Sequence, residues 1–213
     1  MESKFFKSFA LASCVGLAAV SCMVAQETPK FSFSAGAGFV TPVGNTGRHL
    51  DAGWNIRAGA GYNFSPYIGA MIDLGYDSFG INSATLSNIG APGGGLHVFS
   101  ATLDPIVHLN PKGHFDLYLT GGGGLYHRYQ EFTQPSVQVT TGFDPFFGFY
   151  PVAVPVTQVL GSYSVNKFGV DAGAGVAMGT KWHGKIFAEA KYNRIFMGNF
   201  HTDYVPVTFG FRW

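Results

Sequence analysis

The chain closes on "VPVTFGFRW", in which Val205, Val207, Phe209, Phe211 and Trp213 fall on one side of an extended strand. Pro206, Thr208, Gly210 and Arg212 fall on the other. Successive side chains of a strand point to opposite faces, so strict alternation marks a sheet with two different environments. This period of two dominates the chain past its first 25 residues, and no stretch carries a sustained helical stripe. An aromatic terminus that completes an apolar stripe needs a neighbour to bury it, because free ends are ordinarily frayed and polar.

The alternation predicts eight strands, roughly 31–42, 52–64, 67–80, 95–110, 115–132, 162–179, 185–197 and 204–213. Their connections run short, long, short, long. Ser65-Pro66, "PKG" at Pro111 to Gly113 and "KWHG" at Lys181 to Gly184 are tight, whereas those around 43–51, 81–94, 133–161 and 198–203 are longer. An up-and-down meander with unlike ends has the asymmetry of small transmembrane barrels, with short periplasmic turns and longer outer loops. Pro105 and Pro206 each remove a ladder donor, and a bulge or a strand end is expected at both.

Parity sorts each strand into two faces. In the second, Trp54, Ile56, Ala58, Ala60, Tyr62 and Phe64 oppose Asn55, Arg57, Gly59, Gly61 and Asn63. In the sixth, Phe168, Val170, Ala172, Ala174 and Val176 oppose Lys167, Gly169, Asp171, Gly173 and Gly175. A soluble ligand-binding barrel would turn the apolar face inward. Three features argue for the reverse. The polar face is mostly Gly, Ser, Thr and Asn, and the chain has 12% charged residues against about 25% in ordinary soluble domains. The charges on that face nearly balance: Arg57, Arg128, Lys167, Lys191 and Arg212 against Asp73, Asp77, Asp104, Asp116, Asp171 and Glu189. Balance suits a narrow lumen, where a buried charge needs a partner. Aromatic residues of the apolar face gather at the strand ends. Phe31, Phe33, Tyr62, Phe64, Phe115 and Trp213 mark one rim, and Phe39, Trp54, Tyr76, Phe99, Tyr129 and Tyr192 the other. Two aromatic girdles around an aliphatic band match a bilayer. The expected fold is all-β: an eight-stranded, antiparallel, up-and-down transmembrane β-barrel, its apolar face in outer-membrane lipid.

The first 25 residues read as a signal peptide, with Lys4 and Lys7, an apolar core from Phe9 to Val20, and cleavage after Ala25. Lipidation at Cys22 in "AAVSC" stays open beside it. Both cysteines, Cys14 and Cys22, lie at or before the cut, so no disulfide is expected in the domain at 26–213. A formal net charge of +1 leaves no basic excess for nucleic-acid phosphates.

Over its whole length past residue 25 the chain resembles the OmpA/OmpX-type eight-stranded outer-membrane proteins of Gram-negative bacteria. The stretches "GWNIRAGAGYNFSPYIGAMIDLGYD", "GGGGLYHRYQ" and "VPVTFGFRW" carry the resemblance. It implies an outer-membrane protein beta-barrel domain, reached through the periplasm. It also implies a terminal signal, Phe209, Phe211 and Trp213, read by the barrel-assembly machinery. No peptidoglycan-binding domain is expected to follow, so cell-wall tethering is not carried over.

For chemistry the sequence offers little. Eight strands enclose a lumen that side chains fill, so the inward charges are expected to form a packed polar plug; a thin ion or solute path is the alternative. His49, His97, His127 and His201 belong to the outer side and His108, His114 and His183 to the periplasmic side, with no compact ligand spacing. Ser100, His97, His127, Asp51 and Asp203 are candidate parts of a hydrolase at the rim, but no diagnostic spacing links them. The expectation is no catalysis, no cofactor and a monomer.

The most individual segment is the third outer connection, "QPSVQVTTGFDPFFGFYPVAVPVTQVLGSYS", whose sole charge is Asp144. It continues strands five and six as a protruding hairpin that presents Phe143, Phe146, Phe147, Phe149 and Tyr150 to a surface partner, or folds over the barrel mouth as a lid, or stays disordered. The expected role is therefore structural or surface contact through the outer loops, with a narrow channel for ions or small apolar solutes as the alternative.

Overall fold

The computed structural model describes residues 30–111, 113, 115–180 and 184–213. The expected signal peptide at 1–25, both cysteines, His114, His183 and most of the third tight turn lie outside them. Eight strands follow in order: β1 (Phe31–Pro42), β2 (Leu50–Asn63), β3 (Ile68–Ile81), β4 (Gly93–His108), β5 (Phe115–Asp144), β6 (Gly148–Gly179), β7 (Lys185–Phe196) and β8 (His201–Arg212). Each pairs antiparallel with the next, and β8 returns to β1 to close the ring. Closure extends to the last residue: Trp213 N donates to Phe33 O at 2.9 Å and Phe33 N to Trp213 O at 2.8 Å. A closed ring leaves no unpaired edge, which hydrocarbon requires.

Parity in the structure follows the expected direction. Asn55, Arg57, Asp73, Ser100, Thr102, Asp104 and Thr208 are buried in the lumen, while Ile56, Ile72, Leu74, Leu103, Leu119 and Phe209 stand exposed on the outer wall. The girdles form as ring clusters. Trp54, Tyr76 and Phe99 sit with centroids 5.1 and 4.7 Å apart at the outer rim. Phe31 meets Tyr62 edge-on at 5.3 Å at the other rim. These amphipathic rings fix the barrel's height in the bilayer.

Three local features depart from the sequence reading. The second outer connection carries a short helix, α1 (Ser83–Ile89), where the sequence suggests a loop. Asn82 caps it by accepting from Ala84 N at 2.9 Å, and Gly90 ends it at φ +68°, a left-handed conformation suited to glycine. Neither Pro105 nor Pro206 produces a bulge or a strand end. Pairing skips Asp104 and Pro105 between β4 and β5, and Lys191 and Tyr192 opposite Pro206 and Val205 between β7 and β8, then resumes in the same register. The bulges fall instead between Asp51 and Trp54 and between Phe132 and Thr133.

The third departure is one of length beyond the limits 115–132 and 162–179, and it takes the protruding-hairpin form, one of the three expected for this connection. β5 runs 30 residues and β6 runs 32, well past the other strands. β4 accompanies β5 as far as Thr133, and β7 leaves β6 at Gly169. Beyond those points the two strands continue as a lone ribbon to Asp144 and Gly148. From Phe132 to the tip this arm measures roughly 40 Å at about 3.3 Å per residue. The third outer connection is an arm and not a lid.

Candidate functional site

The lumen is layered. At its centre Arg57, from β2, donates to Asp73 at 3.1 Å and to Asp77 at 3.2 Å, both on β3. Lys191, on β7, crosses the ring to donate to Asp73 at 2.7 Å and Asp104 at 2.6 Å, with Glu189 3.5 Å away. Thr102 adds a hydrogen bond to Asp104 at 3.1 Å. Tyr126 donates to Asn193 at 3.2 Å and Asp171 at 3.4 Å. Arg212 lies 3.8 Å from Glu189 and stacks over Tyr118 and Phe187, 4.6 and 5.2 Å from their ring centroids. Opposite charges shielded from water attract strongly.

Apolar side chains close the lumen on both sides of this charged layer. Val40, Leu50, Phe79, Ile81, Leu96, Val98, Ile195 and Tyr204 pack toward the outer end, with Phe79 edge-on to Tyr204 at 5.3 Å. Met71, Ile106, Tyr118, Ala177 and Phe187 pack toward the periplasmic end. A vestibule of about 410 Å³ opens outside the first cluster, lined in part by His49, Arg128, Phe200 and His201. Another, of about 260 Å³, opens below the second beside His108, Lys185 and Trp213. In the charged layer between them, the void lined by Arg57, Asp73, Glu189 and Arg212 measures about 10 Å³, room for one water at most.

Nine of the eleven charges expected inside are buried there: Arg57, Asp73, Asp77, Asp104, Asp116, Asp171, Glu189, Lys191 and Arg212. Arg128 and Lys167 are half-buried and stay out of the network. Arg128 donates to Gln130 at 3.0 Å by the outer vestibule. The expected charge balance therefore fails at the centre, where Arg57, Lys191 and Arg212 face Asp73, Asp77, Asp104, Asp171 and Glu189. Asp116 sits apart at the periplasmic mouth, held by His108 at 2.8 Å and Lys185 at 2.9 Å. Both partners have inward parity at strand ends, a signal the sequence carries but which their terminal position hides.

The remaining candidates do not assemble. Ser100 is buried in the lumen, while His97 and His127 lie on the other face of the wall, bonded to Tyr76 at 2.9 Å and Asn166 at 2.6 Å. Asp51 accepts from Asn82 at 3.2 Å, and Asp203 accepts from Arg194 at 2.9 and 3.1 Å. His49 pairs with Thr85 at 3.3 Å and His201 with Asp203 at 3.4 Å, so the four outer histidines have separate partners.

At the arm tip Phe146 and Phe147 are 92% and 88% exposed, and Phe143, Phe149 and Tyr150 also face solvent. Asp144 shapes the turn by accepting from Phe146 N at 2.8 Å and Phe147 N at 3.0 Å. Gly148 takes φ +77°, a value that favours glycine. Phe209 faces lipid, and Phe211 stacks on Trp213 at 5.9 Å beside the β1 seam.

Solved structures with this architecture come from several bacteria. Neisserial surface protein A has a TM-score of 0.55 and 15% identity, over 88% of this chain and 98% of that one. A major outer membrane protein of Thermus thermophilus has a TM-score of 0.56 and 10% identity, over 86% and 98%. Ail, the attachment invasion locus protein of Yersinia pestis, has a TM-score of 0.50 and 18% identity, over 86% and 97%. At such identities the likeness is one of fold. No curated protein matches the sequence. The family described as "Outer membrane protein beta-barrel domain" matches residues 10–212. A closed ring of antiparallel strands, a lipid-facing apolar wall and that match together place the chain in the outer membrane, as a member of the outer membrane protein beta-barrel domain family.

Proposed function

We propose that this protein makes contacts at the cell surface, with the closed barrel serving as a rigid base for the β5–β6 arm. The exposure of Phe146 and Phe147 at the end of the arm carries this reading, since large apolar groups held in water mark interaction sites. The filled lumen weighs against the alternative of a narrow channel for ions or small apolar solutes, and no catalytic step belongs to the reading. Phe209, Phe211 and Trp213 are proposed as the terminal signal for the barrel-assembly machinery.

Deletion of Phe143 to Pro155 tests the role. The shortened protein is expected to keep the heat-modifiable migration of a folded barrel on an SDS gel while cells displaying it lose adhesion to other surfaces. Loss of membrane insertion would make the arm structural and overturn the proposal.

A further inference from the structure

The two faces of the arm differ, and register assigns their origins. On β5 the odd-numbered residues face lipid within the membrane, as Leu117, Leu119 and Leu125 do, and the same parity continues to Val137, Val139 and Phe143 on the arm. On β6 the lipid-facing residues are even-numbered, Phe168 and Val170 among them. Leu160 is the extra residue at the Phe132/Thr133 shift, where pairing passes from Phe132↔Gly161 to Thr133↔Val159. That single insertion reverses β6 parity. It brings Phe149, Ala153 and Pro155 onto the face shared with Val137, Val139 and Phe143, in the pairs Phe143↔Phe149, Val139↔Ala153 and Val137↔Pro155. The opposite face mixes Ser136, Gln138 and Thr140 with Val152, Val154 and Val156. One face of the arm, broken by Thr141 and Thr157, is thus a largely apolar continuation of the wall that already meets lipid.

Prolines interrupt both edges of the arm. Pro135 on β5 and Pro151 and Pro155 on β6 sit within an unbroken run of pairs, whereas Pro105 and Pro206 pair with one neighbouring strand and interrupt the ladder with the other. A proline leaves a ladder intact where its nitrogen points away from the partner strand, so these three remove donors from the outward edges. A pairing segment loses one hydrogen bond at Pro135 on the β5 edge and two, at Pro151 and Pro155, on the β6 edge. Charge is missing too: from Thr133 to Val165 the chain carries Asp144 alone, and its carboxylate is engaged by the tip turn. What remains is a ribbon with Asp144 as its one charge, more apolar on the face of Val137, Val139, Phe143 and Phe149 than on the other, which carries Tyr150, and ending in aromatic rings. Such rings settle at the headgroup boundary of bilayers.

We propose that the arm docks on a lipid bilayer apposed to the cell surface, laying its apolar face and aromatic tip into the interface of that bilayer. The inference rests on the surface-contact reading above and names the partner's class. Binding draws on apolar burial and not on headgroup charge, so neutral lipid suffices and salt has little effect.

The test uses the full chain in nanodiscs, mixed with sucrose-loaded vesicles of pure phosphatidylcholine and sedimented. Wild-type discs are expected to pellet with the vesicles equally at about 0.1 M and about 1 M salt, across which the Debye length falls from about 10 Å to about 3 Å. Phe146→Ser with Phe147→Ser is expected to lower the bound fraction by about tenfold or more, with heat-modifiable migration unchanged. Val139→Asp, on the apolar face behind the tip, is expected to weaken binding as well. Wild-type discs that stay in the supernatant overturn the lipid proposal, as does pairing of discs through their arms, which would make a second copy the occupant. A parallel measurement separates the two readings: adhesion of cells displaying the wild-type or arm-deleted chain to a protein-coated surface. Arm-dependent adhesion there, without vesicle binding, leaves surface contact standing and removes the lipid. Indifference of both measurements to the arm overturns both.

Discussion

Lys191 reaches from β7 across the lumen to donate to Asp104 on β4 at 2.6 Å, tying together strands that do not pair. The same ammonium holds Asp73 of β3 at 2.7 Å. One cation thus links β7 to β3 and β4 across the ring.

Replacing Lys191 by Met leaves Asp104 buried without its cation and Asp73 with Arg57 alone. Breaking a buried pair from one side costs about 3–5 kcal/mol, so Lys191→Met should lower the urea midpoint of the lipid-inserted barrel by that equivalent. Adding Asp104→Asn should recover part of the loss. A change below about 0.5 kcal/mol would mean that the network contributes little.

Gly175 lies directly opposite Tyr118 in the β5–β6 register. A Cβ at Gly175 would strike the Tyr118 ring, and one at Gly169 would strike Tyr126. Gly175 and Gly169 of β6 seat the inward Tyr118 and Tyr126 of β5, and Gly173 between them lies against Lys191 of β7, so the glycines of "GVDAGAG" make room for inward side chains. Gly175→Ala should destabilise by about 1–3 kcal/mol through overpacking. A double-mutant cycle with Tyr118→Leu should show coupling of about 0.5 kcal/mol or more. Additive effects would contradict this packing.

Exposed rings that touch nothing in the barrel add nothing to its stability. Phe146→Ser with Phe147→Ser should leave the unfolding free energy within about 0.5 kcal/mol of wild type, measured by the same urea titration. A larger loss would tie the tip to the fold.

Most of the barrel is legible in the sequence because a strand in lipid has a strict period, and parity alone separates Arg57 and Asp73 from Ile56 and Ile72. The limits of β1 follow the alternation residue for residue. Less legible is the division of the lumen into layers. Phe79, Leu96, Val98 and Tyr204 point inward near the outer ends of their strands, where an inward apolar residue looks in sequence like a break in the pattern. Charge balance counted by parity is also too coarse. Arg128 and Lys167 have inward parity yet sit too near the outer rim to join Lys191, and distance along the barrel axis depends on strand stagger. For the arm, "SVQVTT" and "VTQVLGSYS" signal strand, but the parity switch at Leu160 appears only once β5 and β6 are paired.

Planar-bilayer recording tests the central claim most directly, that the barrel is a filled base whose work lies beyond its rim. The wild-type chain and the form lacking Phe143 to Pro155 should both insert and both stay electrically silent, because the charged layer and its two apolar covers remain in place when the arm is gone. Discrete conductance steps from either protein would contradict the account and make the lumen the functional site.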